Sequence, residues 1–259
     1  MPVSLGLLRR ARRALGRLLP AVLLVALWQL AAVAGWIRPL FMPSPEAVWE
    51  QLLALLDGGE LLGPALLSLY RAFAGLLLAV VAGVVLGLAM ARSAGARWLL
   101  DPLVSLGFPA PKIAFMPMFV LWFGIGDTSK VLLVAFTCVF PMMVATMQGA
   151  ISVPTAQIWS AQAMGNSPAR ILMRVVLPAS ASYIFSGVRV AVPVALITAY
   201  TAEMISGGGG LGAMLMYAQR FFETPTVFVS ILVMLLSGML LDRLMLWLRR
   251  RLLPWQSED

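Results

Sequence analysis

The sequence predicts an all-α polytopic membrane protein with about six transmembrane helices and one structured helix pair outside the bilayer. Composition points there first: 61% of the 259 residues are hydrophobic and 12% are charged, giving a mean hydropathy of +0.93. Apolar runs of roughly 20 residues, enough to cross a hydrocarbon core about 30 Å thick, recur along the chain. In lipid every backbone N–H and C=O must be paired within the protein, so such runs become helices. The charges are segregated too. Arg9, Arg10, Arg12, Arg13 and Arg17 precede the first apolar run, and Arg249, Arg250 and Arg251 follow the last.

The expected organisation is a basic N-terminal segment (1–17), a transmembrane domain (18–248) and a short tail (249–259). The first span is placed at about Leu18 to Trp36. Its basic start, apolar middle and Ala32-Val33-Ala34 resemble a secretory signal, but the rest of the chain is itself membrane-like, so an uncleaved span is expected. After it, Pro43-Ser44-Pro45 opens an outer amphipathic helix over about 44–56, with Ser44 as N-cap and Pro45 at the first helical position. Val48, Leu52, Leu55 and Leu56 recur at helical spacing; this face lies on the interface or simply packs on the bundle.

Span two runs from about Leu66 to Ala91. Gly75, Ala79, Gly83 and Gly87 recur every four positions along it, a small-residue row that lets a second helix approach closely. The third region, about Leu99 to Phe123, is interrupted by Pro109, Pro111 and Pro117. Proline lacks a backbone donor and clashes with the preceding turn. Such irregular backbone at membrane depth must be buried in protein or line a water-filled cavity. The remaining spans are read at about Ser129–Ala150, Tyr183–Ile205 and Thr226–Leu246.

Lys/Arg counting gives the orientation. The two termini, Arg92, Arg97, Arg170, Arg174 and Arg189 fall on one side; Arg38, Lys130 and Arg220 fall on the other, together with Glu46, Glu50, Asp57, Glu60, Asp127 and Glu223. The first side is therefore expected to be cytoplasmic, and the net charge of +8 reports topology rather than nucleic-acid binding. With no histidine and one cysteine, Cys138, neither a disulfide framework nor a zinc, haem or iron–sulfur site is expected.

The most informative segment is WSAQAMGNSPARILMRVVLP, Trp159 to Pro178, within a cytoplasmic loop over 151–182. Ala156 to Met164 reads as one helix. Gly165 supplies a positive φ at its end, Ser167 a cap, Pro168 the start of a second helix, and Pro178 its end or a bend. The spacing resembles the EAA loop of bacterial ABC-importer permeases. In those proteins Glu-Ala-Ala is followed after three residues by Gly, and after nine more by Ile-x-Leu-Pro. Here the positions are Trp159, Ser160, Ala161, Gly165, Val175, Leu177 and Pro178, with Trp159 in place of the acid. Further matches are Pro43-Ser44-Pro45, Leu121-Trp122-Phe123-Gly124-Ile125-Gly126 with Ser129-Lys130, Ala202-Glu203-Met204 and Gly210-Leu211-Gly212. Together they run from about Pro43 to Arg250 and resemble the nitrate/sulfonate/taurine group of permeases.

That resemblance implies a type I importer permease working as a homodimer in the inner membrane. Its partners would be two cytoplasmic ATP-binding subunits, which hold ATP and Mg, and an extracytoplasmic solute-binding protein. It implies a sulfonate, nitrate or similar organic anion as solute, or alternatively a thiamine precursor or aromatic acid. The residues themselves contribute the rest. Gly207–Gly210 is not followed by the Lys-Ser or Lys-Thr of a phosphate-binding loop, so it reads as an outer re-entrant turn or a plain flexible loop, and this chain is not itself an enzyme. Charged residues near membrane depth face protein or water. Arg71 and Arg189 are read as snorkelling at the ends of their spans. Lys112 either pairs locally or lines the solute route. The other route candidates are Met116, Trp122, Glu203, Gly210 and Gly212, against a plain packing role for the methionines and aromatics. A secondary transporter or channel is the alternative function, but it would show paired inverted repeats and functional acids, and no clear repeat is present.

Overall fold

A computed structural model describes residues 19–20, 22–36 and 38–252. The N-terminal arginines and residues 253–259 lie outside the described residues. Among the described residues every regular element is helical: α1 (Val22–Val33), α2 (Pro45–Asp57), α3 (Leu62–Arg92), α4 (Ala94–Gly107), α5 (Met116–Phe123), α6 (Asp127–Ile151), α7 (Thr155–Ala163), α8 (Pro168–Ile171), α9 (Leu177–Ala179), α10 (Ala181–Ser206), α11 (Leu211–Arg220) and α12 (Thr224–Leu252). Among the described residues, α3, α6, α10 and α12 are long and apolar enough to cross a membrane, and the bent pair formed by α4 and Lys112–Phe123 makes a fifth candidate. The predicted first span falls on α1.

The helices form two compact units, one holding the described residues up to Leu61 with Leu215–Leu232, the other Leu62–Met214 with the chain from Val233 onward. In the first unit, Ser44 caps α2 by accepting from Ala47 N at 3.2 Å, with Pro45 at the first helical position and Val48 and Leu55 on its buried face. Trp28 stacks obliquely on Phe228, ring centroids 5.6 Å apart, and donates its indole N–H to Pro43 O at 3.0 Å. Gln51 donates to Thr226 Oγ1 at 3.1 Å. These bonds satisfy polar groups that apolar surroundings would otherwise leave unpaired.

The second unit is organised by the seam between α3 and α6. The small residues of α3 lie on this seam. A Cβ added at Gly75 would strike Val134, one at Gly83 would strike Met142, and one at Gly87 would strike Thr146 and the Met143 carbonyl. Gly149 and Gly187 make similar close approaches between α6 and the segment after Ser180. Where the apolar solvent provides no hydrophobic drive, such close backbone approach supplies the dispersion contacts that hold helices together. The break in the third region is as sharp as its prolines predict: α4 and the Lys112–Phe123 segment meet at 96°. Pro109 and Pro111 occupy the corner, and Pro117 sits in the first turn of α5, where its missing N–H costs nothing.

Gly83→Ala is expected to lower stability by about 1–3 kcal/mol through overpacking against Met142. Gly63→Ala, with open space around its Cβ position, should be neutral or slightly stabilising, by up to about 1 kcal/mol from helix propensity. Thermal unfolding of the detergent-solubilised protein distinguishes the two.

Candidate functional site: a buried charge cluster and a protruding helix pair

Two regions hold the candidate functional residues, and α10 joins them. Its 26 residues span about 39 Å at the usual helical rise. At its C-terminal end, Glu203 is wholly buried and the chain turns through Gly207–Gly210, each with positive φ. At its N-terminal end, Ala181 follows the Trp159–Pro178 segment after two residues, Ala179 and Ser180.

Around Glu203 the structure assembles a network from α3, α6, α10 and the glycine turn. Arg71 of α3 has a relative exposure of 1%. Its Nη1 donates to Glu203 Oε1 and to Gly209 O, both at 2.8 Å. Its Nη2 donates to Asp127 Oδ1 at 2.6 Å and to Gly208 O at 2.7 Å, and Nε reaches the same Asp127 oxygen at 2.8 Å. Glu203 Oε2 accepts from Ser68 Oγ at 2.7 Å and from Gly212 N at 3.0 Å, while Ser68 Oγ accepts from Leu211 N at 2.8 Å. Glu203 and Ser68 thus cap the first turn of α11, where a carboxylate also meets the positive end of the helix dipole. Lys130, buried in the first turns of α6, donates to Ile125 O at 2.8 Å and more weakly to Gly126 O at 3.3 Å. Two cations and two carboxylates cancel in formal charge.

The expectation that Arg71 snorkels to an interface is corrected: it is an interior residue with a carboxylate on each side. The glycine turn is not a plain flexible loop either, since two of its carbonyls are held by Arg71. Gly210 and Gly212 are required by space as much as by backbone. A Cβ at Gly210 would overlap the Glu203 carboxylate, and one at Gly212 would overlap Tyr200 O. Sequence reasoning missed Ser68, Asp127 and Lys130 as members of this cluster. The usable signal was the presence of opposite charges, Arg71 and Glu203, at membrane depth, where each needs a partner.

Lys112, Met116 and Trp122 are not in this cluster but on the proline-broken segment. Lys112 Nζ donates to Phe108 O at 2.8 Å and lies 5.8 and 5.2 Å from the ring centroids of Phe108 and Phe140. Met116 is buried against Leu133 and Ala202. Trp122 is largely exposed beside Phe119 and Phe123. Arg189 is half-exposed with its guanidinium 3.8 Å from the exposed Asp242, a pair of little energetic weight.

The second region is a helix–turn–helix. α7 ends at Ala163; Gly165 takes φ +76°, and Asn166 closes the turn by donating its side-chain amide to Ala161 O at 3.0 Å. Ser167 occupies the cap position of α8, but its hydroxyl makes no capping bond, contrary to expectation. The second helix is also not uniform: Leu172–Val176 widens into a π-turn before α9. The π-turn sits directly ahead of Pro178, whose ring would collide with the carbonyl four residues back in a regular α-helix. One face of the pair is anchored. Ala161, Ile171 and Val176 are buried in a cluster with Leu88, Ala150 and Val153, and Ile158, Leu172, Val175 and Leu177 pack against it. The other face is open: Trp159 is 67% exposed, Met164 and Met173 are exposed, and so are Ser160, Gly165, Arg170, Arg174 and Pro178.

An all-helical bundle with a helix pair anchored on one face and exposed on the other, ahead of a long helix, is what the resemblance to ABC-importer permeases implies. The fold matches a chain of the MetNI methionine ABC transporter, solved in inward-facing conformations, with a TM-score of 0.56 over 76% of this chain and 98% of that one, at 19% identity. Residues 79–254 match the family of binding-protein-dependent transport system inner membrane components, and the protein belongs to that family. It is 37% identical to the taurine transport system permease protein TauC of Escherichia coli K12 across 92% of this chain and 88% of TauC. It is 32% identical to the putative aliphatic sulfonates transport permease protein SsuC of Bacillus subtilis 168, across 93% and 87%.

Arg71→Ala is expected to cost about 3–5 kcal/mol, because it leaves the buried Glu203 carboxylate without its cation. Asp127→Ala should cost less, about 1–3 kcal/mol, since it removes the acceptor of Arg71 Nε and one acceptor of Nη2 but sits where water can reach, with a side-chain exposure of 47%. Thermal unfolding in detergent, and the yield of folded protein, test this ordering.

Proposed function

We propose that this chain is the membrane-spanning subunit of an ATP-driven importer that admits a small sulfonate or similar organic anion by alternating access. The observation that carries the reading is the Trp159–Pro178 pair. It is fixed to the bundle on one face and bare on the other, in a chain whose family is defined by binding-protein-dependent transport. Two copies of the chain would form the pathway, two cytoplasmic ATP-binding subunits would supply ATP and Mg, and an extracytoplasmic binding protein would deliver solute. Both termini and the Trp159–Pro178 pair lie on the cytoplasmic side in this reading, because arginines concentrate there. The chain performs no covalent chemistry. Coupling arises because the pair docks differently on the ATP-binding subunits in their two states; a contact equal in both would shift no equilibrium.

The solute class is inferred from the relatives named for taurine and aliphatic sulfonates. Lys112, at the corner of the broken segment, is the cation proposed to face a passing sulfonate, with Met116 and Trp122 beside it. Glu203, Gly210 and Gly212 contribute by holding the glycine turn in place. In the reconstituted importer, Lys112→Ala should raise the apparent KM for taurine or an alkanesulfonate about tenfold, since a charge-assisted hydrogen bond is worth about 1.5 kcal/mol. An unchanged KM would remove Lys112 from the route.

Gly165 gives the test of coupling. Its φ of +76° is inaccessible to proline and tolerable to asparagine. Gly165→Pro should insert and fold yet lose ATP-driven uptake by at least about tenfold, whereas Gly165→Asn should retain most of it. Uptake into proteoliposomes with and without ATP measures both, and ATP-independent uptake by the unaltered protein would refute the reading.

A further inference from the structure

The bare face of the helix pair has an unusual chemistry that specifies what covers it. From Thr128 to Ala202 the sequence contains no aspartate or glutamate. The exposed residues of the pair therefore carry only positive charge, Arg170 and Arg174, together with the large apolar side chains Trp159, Met164 and Met173. Because Ala161, Ile171 and Val176 pin the opposite face into the bundle, these side chains are presented on a rigid support, and little entropy is lost in ordering them on docking. A large exposed aromatic on such a support is the type of residue that dominates an interface by filling a pocket.

We propose that the partner surface is an apolar pocket for Trp159 rimmed by aspartate or glutamate side chains that face Arg170 and Arg174. The proposal rests on the reading of this pair as the docking element for the ATP-binding subunit. The occupant is that subunit, distinguished by an acidic groove fitted to tryptophan rather than a basic one fitted to a carboxylate. An acid at position 159 would meet the acidic rim as a like charge, with repulsion in place of burial. Charge reversal at Arg170 and Arg174 would do the same from the permease side.

The test is binding of the detergent-solubilised permease to its ATP-binding subunit, by microscale thermophoresis at several salt concentrations. Each variant is first checked for an unchanged thermal midpoint, which the exposure of Trp159 favours. Trp159→Ala should weaken binding by about 30-fold and Trp159→Phe by about threefold or less. Trp159→Glu should weaken it beyond Trp159→Ala. The Arg170→Glu, Arg174→Glu double variant should weaken binding at low salt by at least about tenfold and lose most of that deficit at high salt. Binding by Trp159→Glu equal to or tighter than that of the unaltered chain would overturn the acidic pocket, as would indifference to the arginine reversals. No binding by the unaltered permease would overturn the functional reading itself, and the proposal with it.

Discussion

A guanidinium carries five N–H donors and no acceptor, and it stays charged at any physiological pH. Arg71 places that demand in the interior of a membrane protein, and the surrounding structure is arranged to meet it. Its donors go to Glu203, Asp127, Gly208 and Gly209. Those acceptors belong to α10, to the start of α6 and to the turn before α11. Satisfying one side chain therefore fixes the relative register of several helices at one end of the unit. Glu203 in turn needs Ser68 and the Gly212 amide, which ties the first turn of α11 to the same point. A low-dielectric interior makes each bond stronger and each omission more costly.

This charge network works only because the helices come close. Glycines at 75, 83 and 87 remove the bulk that would hold α3 away from α6. Gly210 and Gly212 do the same for the turn against Glu203 and Tyr200. Dispersion contacts along the seam and hydrogen bonds at its end are complementary devices. The first is non-directional and tolerates sliding; the second is directional and sets one position. Lys130 stands apart, held by carbonyls at the loop between α5 and α6 rather than by a carboxylate. It fixes the turn that delivers Asp127 to Arg71.

Much of this was legible in the sequence because it depends on local rules. Apolar run length placed the long helices. Ser44 and Pro45 placed the start of α2, Gly165 the turn, and Pro109 with Pro111 the corner. The small-residue row on α3 announced a close helix contact before any partner was known. What the sequence did not reveal was pairing over distance. Arg71 reaches Asp127 across 56 positions and Glu203 across 132, and nothing local distinguishes such an arginine from one that snorkels to an interface. Asp127 looked like one more loop acid, and Ser68 like an unremarkable helix residue. The π-turn before Pro178 was hidden for a different reason. Proline predicts disruption, but whether the chain bends, ends or widens depends on tertiary packing, which no local pattern records.

The placement of α10 has a mechanical consequence. It links the bonds around Glu203 at one end to the Pro178 segment at the other, and between them its Gly187, Ala191, Val192, Ala195 and Ala199 are buried. Over a length of about 39 Å, a tilt of about 5° at the Glu203 end displaces the far end by roughly 3 Å. Under the proposed docking role, a displacement of the helix pair would reach the charge cluster as a rotation with a much smaller shift. The only proline within α10, Pro193, lies near its middle, so bending there would decide how much of such a rotation reaches Glu203.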